Sequence, residues 1–161
     1  MAKPHELRCY DYVNKPYAAV CAALRNDLKG VLQRATVGAE RRAQTIAAEL
    51  KVAIGPLDIG TEVTVKLGAM EEKDDGMQRG PAMHIRLSWQ ATNATALLPS
   101  MEADLVIYPL SATETQIDLR GVYKPPLGAV GAALDSLIGH RLAEASVRRF
   151  VEDIAALLRS E

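Results

Sequence analysis

At 161 residues the chain has the usual size of one domain, and folding at that length buries about two thirds of the unfolded surface, enough for a real core. Nineteen Lys and Arg nearly balance 20 Asp and Glu, which leaves no overall field to draw the chain to nucleic acid or to an anionic membrane. One Trp, one Phe and five Tyr argue against a base-stacking platform, so the core must rest on Ala, Leu, Ile and Val.

In chain order, "HELRCYDYV" (5–13) is rich in aromatic and β-branched residues and is broken by Asn14-Lys15-Pro16, which reads as a first strand. Pro16 then opens a first helix, with Tyr17, Val20, Cys21, Leu24 and Leu28 recurring at three and four. A second helical piece carries Ala39, Ala43, Ile46, Ala47 and Leu50, with a break expected near Thr36 to Gly38. From residue 51 the period changes to two. "KVAIGPLDIGTEVTVKLGAM" holds two strand-like runs around Gly55-Pro56, and "EEKDDGMQRGP" (71–81) is a charged turn region.

"MHIRLSWQA" alternates cleanly, Met83, Ile85, Leu87 and Trp89 against His84, Arg86, Ser88 and Gln90. "MEADLVIYPL" repeats the pattern with Met101, Ala103, Leu105 and Ile107, and "TQIDLRGVY" with Ile117, Leu119 and Gly121; "SATET" (111–115) is their hairpin connection. Consecutive strands with short turns form an antiparallel meander, and one-sided alternation means that one face is covered. Pro125-Pro126 stops the last strand. Beyond it the chain has no proline, and a helix of roughly 30 residues would be about 45 Å long, enough to cross a sheet. Its early apolar positions and its later ones, Val147, Phe150, Val151, Ile154, Leu157 and Leu158, fall on opposite sides, so a bend is expected near Gly139-His140. The expected whole is a single domain, residues 1–161.

The phrases "LQRAT" (32–36), "MEADLVIYPLSATETQIDLRGVYKPPLGAVGAALD" (101–135) and "HRLAEASVRRFVEDIA" (140–155), with the order of elements, make the chain resemble the SRPBCC or START-like helix-grip superfamily, close to its uncharacterised bacterial members. The superfamily includes lipid-transfer domains and polyketide cyclase/dehydratase-like proteins. The resemblance implies an α+β helix-grip fold: a curved antiparallel sheet of six to seven strands wrapped around the C-terminal helix, with two short helices after strand one. It also implies an apolar cavity between sheet and helix that holds a hydrophobic small molecule such as a lipid or polyketide. No catalytic motif comes with it.

On this reading the sheet wall of the cavity would be Ile85, Leu87, Trp89, Leu105, Ile107, Leu119 and Tyr123, and the helix would contribute Val130, Leu134 and Ile138. Trp89 is first a core residue and second a fluorescent reporter. Arg141 is in phase with Leu134 and Ile138, and Asp11 with Leu7, Cys9 and Val13; pointing inward, they would pair, or Arg141 would hold a ligand carboxylate. His5, His84 and His140 are far apart in sequence, show no metal-ligand spacing and read as solvated. Cys9 and Cys21 form no Cys-x-x-Cys pair and suit a reducing compartment as small buried residues.

No glycine loop of phosphate-binding type and no nucleophile motif occurs, so no cofactor or metal is expected. The opening residues have no signal-like apolar core, and no run spans a bilayer, which makes a cytoplasmic protein without stable membrane insertion the expectation. Three functions fit this reading. The first is carriage of a hydrophobic small molecule. The second is a cyclase- or dehydratase-like enzyme acting in the same cavity. The third is a protein-interaction module using Arg41, Arg42, Arg148 and Arg149 on outer helix faces.

Overall fold

The computed structural model describes residues 5–49, 63–74, 80–91, 97–124 and 136–160. Seven elements follow in order: β1 (His5–Val13), α1 (Tyr17–Glu49), β2 (Val63–Asp74), β3 (Pro81–Ala91), β4 (Ser100–Pro109), β5 (Thr115–Lys124) and α2 (Ser136–Ser160). The strands form one antiparallel sheet in the order β1-β5-β4-β3-β2. Five strands are present among the described residues rather than six to seven, and the run expected as a strand at 51–59 lies outside them.

The helical region after β1 is one element of 33 residues rather than two short helices. Its kink is at Asp27, whose φ of −149° and ψ of 52° leave the helical region. Asp27 restarts the helix by accepting the Gly30 N–H at 3.2 Å, the N-cap arrangement that satisfies an orphan donor. The break expected near Thr36 to Gly38 is absent. Thr36 turns its hydroxyl back to the Leu32 carbonyl at 2.7 Å, and a side chain at Gly38 would run into the Asp153 carboxylate, so Gly38 serves close helix approach.

Nor does α2 bend at Gly139-His140; it continues to Ser160. Its buried stripe is Leu142, Ala143, Val147, Phe150, Val151, Ile154, Ala155 and Leu158, at three and four. That stripe packs on β1 and β5 and against α1. Phe150 meets Trp89 edge to face, with centroids 4.9 Å apart and an interplanar angle of 77°. Each such ring burial stabilises by about 1.5–3 kcal/mol, and this pair joins the helix to the C-terminal end of β3.

The pairing register makes the inner face of the sheet a grid of four rows. Trp89, Met101, Tyr123 and His5 form the first, and Leu87, Ala103, Gly121 and Leu7 the second. Ile85, Leu105, Leu119 and Cys9 form the third, and Met83, Ile107, Ile117 and Asp11 the fourth. No helix among the described residues is long and apolar enough to cross a membrane.

Candidate functional site

The grid shows where the interior is full. Ile85, Leu105, Ile107 and Leu119 are 0% exposed, so no water-sized gap touches them. Rows three and four are therefore solid core, and the wall residues expected at a deep cavity pack against side chains there. The smallest inner-face residues are in the second row, where Gly121 packs closely on the buried Ala103, with Leu87 and Leu7 at the ends of the row. Gly121 and Leu7 are half-buried although they belong to the inner face, so solvent reaches the β5–β1 end of this row, a shallow notch, while Ala103 and Leu87 stay buried.

Three polar rings stand over that notch. Register places His5 of β1 opposite Tyr123 of β5, and the first turn of α2 brings His140 onto both. Tyr123 Oη and His140 Nδ1 are 2.6 Å apart. The His5 ring meets His140 edge on at 4.3 Å and lies tilted over Tyr123 at 5.4 Å. Burial, with Glu144 as a second cause, pushes the Tyr123 hydroxyl above its ordinary value, so it stays protonated at neutral pH. With a neutral imidazole protonated at Nε2, Tyr123 donates to Nδ1; protonated at Nδ1, the ring donates and Tyr123 accepts. With an imidazolium, Nδ1–H donates and Tyr123 accepts.

Trp89, Leu87 and Tyr123 are all buried, Trp89 in the same row as Tyr123 and His5 and against Phe150 of α2. Val130 and Leu134 lie outside the described residues, as does the side chain of Ile138 in the first turn of α2. Arg141 is a correction to the sequence reading: it is exposed, because the buried stripe of α2 runs through Leu142, Ala143 and Val147 and turns position 141 outward. Asp11 does not pair with it. Asp11 accepts from Arg159 at 3.1 Å, since α2 runs along β1 with its C-terminus at the fourth row, about 28 Å of helix from His140.

The histidines correct the reading in two ways. His84 is 7% exposed on the outer face, its Nδ1 2.8 Å from the Asp104 carboxylate, rather than solvated. His5 and His140, 135 positions apart, meet. The antiparallel pairing of the first and last strands carries that signal, because it sets the start of β1 beside the end of β5, where α2 begins. Two imidazoles and a phenol fall short of the donors of a closed zinc site, and no group of three His, Cys, Asp or Glu gathers among the described residues.

Both cysteines are buried and free, and burial pushes their thiols up, which keeps them unreactive at neutral pH. A groove of about 310 Å³ crosses the end of the sheet at Ser88, Gln90, Ser100, Glu102, Val122 and Lys124, and Trp89, Met101 and Tyr123 of the first row line it too, so it adjoins the rings at Tyr123.

No family model matches the chain, and no curated protein matches it. Solved structures are similar to it. Zhui aromatase/cyclase from a Streptomyces species is 14% identical, covers 97% of this chain and 94% of its own, and has a TM-score of 0.44. A protein from Thermus thermophilus is 14% identical over 97% of this chain and 98% of its own, with a TM-score of 0.46. Norcoclaurine synthase from Thalictrum flavum is 8% identical over 99% of this chain and 89% of its own, with a TM-score of 0.42.

Proposed function

We propose that the protein binds a hydrophobic small molecule in the notch between β1, β5 and the first turns of α2. The observation that carries this is the part-exposed end of a small-residue row, at Gly121 and Leu7 beside the buried Ala103, with polar rings next to it. A site that is mostly apolar with a few convergent polar groups is the usual form of a small-molecule pocket. The molecule enters at the rim and lies against Leu7, Ala103 and Tyr123, while the packed third row forms the floor. Tyr123 and His140 offer a donor and an acceptor to one oxygen of the guest.

The test is titration with the neutral apolar fluorophore N-phenyl-1-naphthylamine, read by energy transfer from Trp89, the single tryptophan. Saturable transfer at one probe per chain is expected, and Ala103→Leu, which fills the notch, should weaken it at least about tenfold. Absence of saturable transfer in the unmodified protein, or indifference to Ala103→Leu in a folded variant, would overturn the proposal. A second reading, proton-transfer chemistry of the cyclase or dehydratase kind, is favoured by the 2.6 Å Tyr123 to His140 contact alone. It requires turnover of a carbonyl substrate that Tyr123→Phe abolishes.

A further inference from the structure

We infer that the molecule held in the notch carries an oxyanion at one end, recognised by an arginine-lined groove on α2 that opens at His140; this rests on the binding reading above. The groove holds about 730 Å³ and is lined by Arg42 of α1 and by Arg141, Arg148 and Arg149 of α2, against Glu144 and Glu152. Four guanidiniums face two carboxylates, so the lining residues sum to plus two in a chain whose net charge is −1.

Arg149 is engaged with Asp153 at 2.9 Å. Arg42, Arg141 and Arg148 are exposed and make no ion pair among the described residues. Glu144 and Glu152 stand three or four positions from Arg141 and Arg148, and with Asp153 on Arg149 these three carboxylates still leave the four arginines with an excess of one positive charge. The planar fork of a guanidinium fits the two oxygens of a carboxylate or phosphate, and three unpaired forks around one groove, one from α1 and two from α2, favour such a group over a hydroxyl.

What joins this groove to the notch is His140. Its Nδ1 contacts Tyr123 on the inner face, and the same residue lines the groove beside Arg141. A molecule whose apolar part lies on Ala103 and Gly121 therefore extends past His140 with its end among the arginines. The guest is an acidic amphiphile.

Decanoate, decyl phosphate and decanol are compared as competitors of N-phenyl-1-naphthylamine, again by energy transfer from Trp89. The expected result is displacement by at least one of the two anions at about tenfold lower concentration than by decanol. The advantage should shrink with added salt, and the double variant Arg141→Met, Arg148→Met should lose it while still binding the probe. Which anion wins separates a carboxylate from a phosphate end. Decanol equal to both anions, or an anion preference that survives in the double variant, overturns the inference and leaves the binding reading intact. Failure of the probe itself to bind removes both.

Discussion

Tyr123→Phe tests the arrangement at the rim most directly. The change keeps the ring that His5 and His140 pack against and removes one oxygen, the partner of His140 Nδ1 at 2.6 Å. Because the hydroxyl is buried and the imidazole half-buried, the loss is that of one ordinary hydrogen bond, about 0.5–1.5 kcal/mol of stability. Urea unfolding followed by Trp89 fluorescence reads this as a lower midpoint at unchanged slope. The variant should also bind a ketone such as 2-decanone more weakly than the unmodified protein while holding decane equally well, since only the ketone has an oxygen for Tyr123. A midpoint equal to that of the unmodified protein, or equal losses for ketone and alkane, would refute the reasoning, because the hydroxyl would then be neither bonded to His140 nor offered to the guest.

Other perturbations reach the rest of the fold. Gly121→Ala should destabilise by about 2–3 kcal/mol, because its new methyl would sit on the Glu102 carbonyl oxygen and 2.8 Å from Ala103 Cβ, both parts of the neighbouring strand; a thermal melt checks it. Asp118→Asn should cost about 1.5–3 kcal/mol in urea unfolding, since the fully buried carboxylate accepts from Arg8 at 3.1 and 2.8 Å and from Arg120 at 2.9 Å. Phe150→Ala should cost about 3–5 kcal/mol and shift Trp89 emission to longer wavelength. Alkali should weaken the fold. Burial raises the hydroxyls of Tyr17 and Tyr123 and the thiols of Cys9 and Cys21, so the unfolded chain loses these protons first. Stability is then full below the ordinary thiol value of 9.0 and falls as pH rises through it, so the urea midpoint at pH 10.5 should lie below that at pH 7.

Period-two alternation at Met83 to Trp89, Met101 to Ile107 and Ile117 to Tyr123 was enough to predict the strands and their inner face, because a half-covered antiparallel sheet imposes that pattern directly. Helix phase was harder. The first helix break was misplaced because Thr36 and Gly38 resemble breakers by composition, whereas the break at Asp27 depends on its carboxylate capping Gly30, a contact of backbone geometry. Arg141 was read as inward by extending the phase of Leu134 and Ile138 across the join with the later stripe. The structure follows the later stripe, in which Val147, Phe150 and Ile154 bury the larger surface. The meeting of His5 with His140 depends on long-range strand register, which no local pattern encodes.

The two ends of α2 differ in a way that decides where a guest enters. At the C-terminal end Lys15 donates to the Leu158 carbonyl at 2.9 Å, Arg159 reaches both Asp11 and the Tyr12 carbonyl, and Ile154 and Leu158 are buried below them. Lifting that end breaks an ion pair and carbonyl contacts together and exposes apolar surface worth about 1.5–3 kcal/mol per side chain. At the other end His140 is half-buried, and its hydrogen bond to Tyr123 can be taken over by an oxygen of the guest. The Lys15 and Arg159 contacts oppose local opening at the C-terminal end. Amide hydrogen exchange should therefore be faster for residues 139–143 than for residues 150–158, and an apolar guest should slow the first group while leaving the second unchanged. Equal protection along the helix, or slowing at the C-terminal end alone, would place the entrance elsewhere.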